Sequence, residues 1–162
     1  MKQIGETSLF VGGRTDFASV GTDEKFARVN VAKTVHGQIL GRTPTKTDPN
    51  YIFLEDSERR IMSVNWVDAP SPRLFDWTGV GGFTRILDFM AEQMALGRKV
   101  LVSCDRGISR APTVGLLYSS KRLGVIDSSS FESAHSGFIE LYPAYRPSGV
   151  GRYAAENWTE IK

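Results

Sequence analysis

The stretch SCDRGISRAP, Ser103 to Pro112, contains the only cysteine of the 162-residue chain. It follows the short apolar run KVLVS, which is typical of a buried central strand. It leads into RAPTVGLLYSSKRLG, where Pro112 suits the first turn of a helix and Gly124 suits its end. The stretch therefore predicts a strand, a tight loop and a helix in direct succession, with Cys104 at the start of the loop.

The residue types in this loop favour the binding of an anion. Gly107 permits a backbone conformation that other residues rarely adopt, so the loop can curl and turn successive N–H groups inward. The positive end of the following helix points to the same place, and the planar guanidinium of Arg110 fits two phosphate oxygens. Such cationic surroundings favour a thiolate over a thiol. Cys104 is therefore predicted to be a nucleophile beneath a bound phosphate; the alternative is a buried, inert thiol.

The rest of the chain predicts a layered α/β domain, because strands come first and helices alternate with a strand later on. Apolar runs bounded by glycine, proline and polar turns predict strands over residues 9–13, 28–35, 51–56 and 61–67. Apolar residues at helical spacing predict a helix over residues 81–97, with Met90 and Met94 in its core face. Two further helices are expected over residues 131–142 and 152–158. The length suits one domain, residues 1–162.

The motif CDRGISR, Cys104 to Arg110, resembles the signature loop of the cysteine-dependent protein tyrosine phosphatases. Its glycine and serine match the C-x-x-G-x-S-R form of the dual-specificity branch, and SLFVGG, RVNVAKTV and YRPS resemble further segments of that family. The resemblance implies a central mixed, mostly parallel sheet flanked by helices. It also implies that Cys104 and Arg110 are catalytic and that the residues between them bind substrate. These are Asp105, Arg106, Gly107, Ile108 and Ser109.

The same resemblance implies a general acid on a loop some way before the cysteine. Asp68 lies in VNWVDAPSP, directly after a predicted strand and before two prolines, and matches the acid loop of the family. Asp76, in RLFDW, is the second candidate, although a role as a helix cap or solvated carboxylate suits it better. An aspartic acid there can protonate the departing oxygen of a phosphate ester and later activate water. Asp68 is the residue we expect to do this.

The chain departs from the family pattern on both sides of the loop. Ser103 stands where the family usually has a histidine that orders the loop, and Ala111 stands where it has a serine or threonine. The missing hydroxyl implies that the breakdown of a phosphocysteine is slow. Arg146, in the YRPS segment, is expected by the same resemblance to brace the loop.

Composition narrows the partners and cofactors. A formal net charge of +2 is too small to favour nucleic acid or an anionic membrane surface, and no apolar run is long enough to span a membrane. One cysteine cannot form a disulfide framework within the chain, and one cysteine with two well-separated histidines argues against a structural zinc site. The implied chemistry needs no metal or organic cofactor. The first residues, MKQIGETSLFVGG, lack the apolar run of a signal peptide. We therefore expect a cytoplasmic enzyme.

The expected substrate is a phosphorylated protein carrying phosphotyrosine and also phosphoserine or phosphothreonine. The sequence leaves three alternatives open. The first is a weak or inactive module that binds phosphorylated protein. The second is a phosphatase of a phosphoinositide, a nucleotide or an RNA 5′ end. The third is a structural protein with an inert thiol, and slow alkylation of Cys104 would support it.

Overall fold

The structure is a computed structural model that describes all residues 1–162, and it contains six strands, six α-helices and one 3-10 helix. The strands are β1 (Lys2–Gln3), β2 (Leu9–Gly12), β3 (Phe26–Asn30), β4 (Phe53–Asp56), β5 (Ile61–Val64) and β6 (Lys99–Ser103). The α-helices are α1 (Arg14–Val20), α2 (Lys33–Leu40), α3 (Gly79–Ala95), α4 (Arg110–Lys121), α5 (Phe131–Leu141) and α6 (Gly149–Glu156), and the 3-10 helix is Pro72–Phe75. No helix has the length and apolar character needed to cross a membrane.

The strands form one sheet in the order β1-β2-β6-β3-β5-β4. The four central strands are parallel, and β1 and β4 pair antiparallel at the two edges. The predicted mixed, mostly parallel sheet is therefore confirmed. Across the sheet Ser103, the last residue of β6, lies opposite Gly12 on one neighbour and Asn30 on the other. The carboxyl ends of three parallel strands thus meet directly beside the cysteine loop, at the edge where α/β sheets bind ligands.

Helices cover both faces of the sheet. Alternating residues of β6 point to opposite faces: Val100 and Val102 belong to the large core beneath α3, α4, α5 and α6, whereas Leu101 packs with Val20 and Phe26 on the other face. Strand β6 is therefore a central strand buried on both faces, and this explains the continuous apolar run VLV in its sequence.

Residues 28–35 were expected to form one strand, and this prediction is wrong in its second half. Strand β3 ends at Asn30, and α2 begins at Lys33. The Asn30 amide accepts the Ala32 N–H at 3.1 Å and donates to the Ala32 carbonyl at 2.9 Å, which turns the chain out of the sheet. The short elements β1 and α1 were not predicted either. By contrast, the predicted strand before Cys104 and the helix after it are confirmed.

Helix α3 is attached to the core through an aromatic cluster. The centroid of the Phe83 ring lies 4.9 Å from that of Trp66 and 5.1 Å from that of Tyr153, on which the ring is stacked. Both Phe83 and Trp66 are almost completely buried. Trp66 lies two residues before Asp68 in the sequence. The aromatic cluster therefore also anchors the start of the segment that contains Asp68.

We predict that Phe83→Ala lowers the free energy of unfolding by about 3–5 kcal/mol, because it removes a buried ring and leaves a cavity. Leu96→Ala is the control, since Leu96 is 66% exposed and should cost little. Urea denaturation of the two variants checks the prediction. Similar stability of both would show that the aromatic cluster does not hold the helix.

Candidate active site

The cysteine loop packs directly on the backbone that follows β2. Gly107 has a φ of 70°, and a Cβ added there would lie 2.8 Å from the Gly12 carbonyl carbon. The Cys104 N–H donates to the Gly12 carbonyl at 3.4 Å, and the Arg14 N–H donates to the Asp105 carbonyl at 3.3 Å. Glycine is therefore needed at position 107 for two reasons, since any side chain would be strained and would collide with this backbone.

Two hydroxyl groups brace the loop from the other side. The Tyr142 hydroxyl donates to the Gly107 carbonyl at 2.9 Å, and the Thr113 hydroxyl donates to the Ser109 carbonyl at 2.9 Å. Burial raises the pKa of Tyr142, and electrostatic interactions with Cys104 and Asp16 raise it further, so the phenol keeps the proton that it donates. These contacts fix the backbone of the loop before any ligand arrives.

The segment that contains Arg146 also contacts the loop, but through its backbone. The Arg146 N–H donates to the Ile108 carbonyl at 2.8 Å, while its guanidinium donates to the carbonyls of Pro143 and Tyr145, each at 2.7 Å. The expected bracing by Arg146 is therefore made by the main chain, and the side chain closes its own turn.

Cys104 lies at the bottom of the loop and is only 3% exposed. Its Sγ accepts the Gly107 N–H at 3.2 Å. Four further N–H groups of the loop donate to no acceptor in the protein, and they belong to Asp105, Arg106, Ile108 and Ser109. A curled loop with several free amides is suited to bind an oxyanion.

Arg110 begins α4 and is buried, so its guanidinium is held by specific partners. Its Nη1 donates to the Trp66 carbonyl at 2.7 Å, and its Nη2 donates to the Asp105 carboxylate at 2.6 Å. Its Nε is buried and has no partner. The guanidinium is thus oriented by two contacts, and its Nε–H is left without an acceptor.

Buried polar atoms without a partner are concentrated in this loop. Six such side-chain atoms occur in the chain, and three of them are Asp105 Oδ1, Ser109 Oγ and Arg110 Nε. Proteins satisfy nearly all of their buried polar groups, so each exception needs an explanation. Three exceptions within six residues, together with the free amides, indicate a binding site for a polar ligand that supplies the missing partners.

The Asp68 carboxylate lies over the loop. Its Oδ2 is 3.5 Å from Arg106 Nη2 and 3.6 Å from Arg110 Nη2, and the side chain is 39% exposed. The Gly149 N–H donates to the Ala69 carbonyl at 3.0 Å and holds the segment in place. The structure therefore brings Cys104, Arg110 and Asp68 to one edge of the sheet.

The other candidate acid lies elsewhere. Asp76 follows the 3-10 helix, where its N–H donates to the Arg73 carbonyl at 3.2 Å. Its charge acts on Tyr153 of α6, whose pKa is raised by burial first and by that charge second. Asp76 closes a turn, and of the two aspartates only Asp68 contacts the loop arginines.

The two positions that depart from the family pattern are both buried. The Ser103 hydroxyl points to the Val29 carbonyl at 3.5 Å, a weak contact within the sheet, and Ala111 is fully buried at the start of α4. Sequence reasoning missed the contribution of Gly12, Gly13 and Tyr142. The double glycine of LFVGG was a usable signal, because two adjacent glycines allow another backbone to approach closely.

No protein-family model matches the sequence, and no curated protein matches it either. Solved structures do match over nearly the whole chain. The human tyrosine phosphatase-like serine/threonine/tyrosine-interacting protein has a TM-score of 0.64 at 15% identity, covering 99% of this chain and 96% of that one. The chain has the fold of the dual-specificity phosphatases. Human DUSP28 has a TM-score of 0.60 at 18% identity, covering 98% and 91%.

A third similar structure is PTPMT1 in complex with PI(5)P, with a TM-score of 0.60 at 17% identity, covering 98% of this chain and 94% of that one. Coverage is nearly complete in both directions, so the likeness in fold extends over nearly the whole chain. The fold class expected from the sequence is confirmed. Fold by itself does not determine chemistry, so the function has to be argued from the loop.

We predict that Gly107→Ala abolishes the binding of oxyanions such as tungstate, because the added methyl group collides with the Gly12 backbone and displaces the loop amides. Gly97→Ala is the matched control, since Gly97 has a φ of 77° but no atom near the added methyl group. Both variants pay the strain of a positive φ, of order 1–3 kcal/mol. Calorimetric titration compares them, and equal loss of binding would contradict the prediction.

Proposed function

We propose that the chain is a cysteine-dependent phosphomonoesterase acting on phosphorylated proteins, with phosphotyrosine as a substrate and phosphoserine and phosphothreonine accepted as well. The unpartnered buried donors Arg110 Nε and Ser109 Oγ, together with the free loop amides, carry the proposal, because phosphate oxygens can accept hydrogen bonds from all of them. The proposed catalytic residues are Cys104, Arg110 and Asp68. The loop residues 105–109 bind the phosphate, mainly through their backbone.

In the first step the Cys104 thiolate attacks phosphorus in line with the leaving oxygen. The bond between phosphorus and that oxygen breaks, and Asp68 gives its proton to the departing oxygen. Arg110 Nε and the free loop amides stabilise the charge on the equatorial oxygens of the transition state. The products of this step are a dephosphorylated hydroxyl group and a phosphocysteine at Cys104.

In the second step water attacks the phosphocysteine. Asp68, now a carboxylate, takes a proton from the water, the bond between sulfur and phosphorus breaks, and phosphate leaves. The leaving group is the Cys104 thiolate, and Ala111 has no hydroxyl to support it. We therefore propose that this step limits turnover. A reducing compartment such as the cytoplasm keeps the single thiol available for the cycle.

The proposed substrate is a protein side chain for reasons of charge. The loop between Cys104 and Arg110 contains no lysine, and the formal net charge of the chain is only +2. A polyanionic lipid headgroup such as the PI(5)P present in the PTPMT1 structure calls for more positive charge than this. A phosphorylated side chain presents a single phosphate and suits the site better.

A second candidate function is a module that binds phosphorylated proteins without turning them over. Two observations favour it. The Asp105 carboxylate holds Arg110 Nη2 at 2.6 Å in the free protein, and Ala111 lacks the hydroxyl that assists the second step. The presence of a thiol, an arginine and an aspartic acid at one site favours the enzyme, since a binding module needs neither nucleophile nor acid.

The first experiment is a rapid-mixing time course of para-nitrophenyl phosphate hydrolysis. We expect a burst of about one nitrophenol per protein followed by slow turnover, because phosphocysteine forms faster than it hydrolyses. Cys104→Ser should abolish both phases, and Ala111→Ser should raise the steady rate. A burst without turnover supports the binding module, and no release by a protein that binds vanadate does the same. Absence of both activity and vanadate binding refutes the proposal.

We predict that Asp68→Ala lowers turnover by about 10²-fold or more, the contribution typical of a general acid, while tungstate still binds. Asp76→Ala is the matched control and should retain near wild-type turnover, because Asp76 closes a turn outside the loop. Steady-state kinetics with para-nitrophenyl phosphate measure both. The assignment is wrong if Asp76→Ala shows the large loss and Asp68→Ala does not.

A further inference from the structure

An acidic side chain occupies part of the proposed phosphate site. Asp105 directly follows the nucleophile, and its Oδ2 accepts from Arg110 Nη2 at 2.6 Å. Its Oδ1 is buried and has no hydrogen-bond donor. The carboxylate thus lies on the guanidinium that is proposed to bind the phosphate, a place where negative charge opposes an incoming anion.

The charges that surround this point nearly cancel before any ligand binds. Arg110 Nη2 lies between two carboxylates, Asp105 at 2.6 Å and Asp68 at 3.6 Å, while Arg106 contacts Asp68 at 3.5 Å. Two guanidinium groups and two carboxylates therefore form one cluster with a formal charge of zero. The free Arg110 Nε–H, the loop amides and the start of α4 remain to attract an anion, and the amides and the helix start carry only partial charges.

We propose that Asp105 makes the site selective for singly charged oxyanions over doubly charged ones, an inference that rests on the proposed function. The repulsion between the carboxylate and a bound anion is proportional to the charge of that anion. A dianion therefore loses about twice as much binding free energy as a monoanion of the same shape. Asp105 acts on binding through charge, whereas Gly107 acts through backbone geometry.

The unpartnered oxygen of Asp105 points to the form of phosphate that fits. A phosphate monoester that carries one proton has a P–OH group, which can donate a hydrogen bond to Asp105 Oδ1. Its remaining oxygens can accept from Arg110 Nε and from the loop amides. A fully ionised phosphate has no proton to donate, and it leaves the buried oxygen unsatisfied at a cost in affinity. The preferred substrate is therefore a singly protonated phosphate monoester.

A different role for Asp105 would be to hold the Arg110 side chain in place. In that case its removal would weaken every oxyanion by a similar factor, because the guanidinium would lose its orientation whatever the charge of the ligand. Removal of Asp105 thus raises oxyanion affinity if it acts by charge and lowers it if it holds Arg110. Only in the first case does the change depend on the charge of the ligand. A pair of ligands with equal shape and different charge distinguishes them.

The test is calorimetric titration of wild type and Asp105→Asn with tungstate and perrhenate at neutral pH. Both ions are tetrahedral, and tungstate carries two negative charges whereas perrhenate carries one. We expect the variant to bind tungstate about tenfold and perrhenate about threefold more tightly, because the removed repulsion scales with charge. Asp88→Asn is the control, since Asp88 also pairs with an arginine, Arg122 at 2.6 Å, but on the exposed face of α3.

Each outcome decides a separate question. Equal gains for both ions, no gain, or weaker binding of both overturns the selectivity of Asp105 and leaves the phosphatase proposal standing. Failure of wild type and variant to bind either ion overturns the proposed function as well. Thermal unfolding establishes that the variant folds, and Asp105→Ala carries the same expectation if Asp105→Asn does not.

Discussion

The backbone of Gly107 lies against the backbone of Gly12 and Gly13, with no side chain between them, and the cysteine loop takes its position from this contact. Parallel pairing of β2 with β6 brings the two segments together, since Gly12 and Ser103 are opposite each other in register. Once the loop is seated there, the Gly107 N–H donates to the Cys104 sulfur and four further loop N–H groups have no acceptor in the protein. Residue 107 needs a positive φ and a close approach to the Gly12 backbone, and glycine is the only residue type that meets both demands.

The second constraint on the site is that the buried guanidinium of Arg110 must be paired. Arg110 is almost completely buried, and a buried charge is costly unless it is paired and hydrogen-bonded. The Trp66 carbonyl and the Asp105 carboxylate meet this need and also fix the direction in which the free Nε points. The same contacts join the cysteine loop to the segment that carries Asp68. Stability and site geometry are therefore supplied by one set of interactions, and a carboxylate within it adjusts how strongly the site attracts an anion.

The likeness to solved phosphatases extends over nearly the whole chain at only 15–18% identity. A fold can persist at this level because a core requires apolar side chains of suitable volume at the right positions rather than particular residues. A catalytic site is less tolerant, since it requires particular atoms at particular distances. For this reason the fold follows from the structural comparisons, whereas the proposed chemistry depends on the loop, its unpartnered atoms and the carboxylates beside it.

The sequence by itself determined the strand, loop and helix around Cys104 and the α/β class, because these depend on local patterns of apolar residues, glycine and proline. The preference for Asp68 over Asp76 came from the family resemblance and stays a prediction. The sequence failed at residues 28–35, where an asparagine side chain turns the backbone, and it did not reveal α1. Only the tertiary structure decided that Gly12 cradles the loop, that Tyr142 braces it and that Asp105 pairs with Arg110. These contacts join residues by strand register and helix packing, and no local pattern of residue types encodes the distance between such partners.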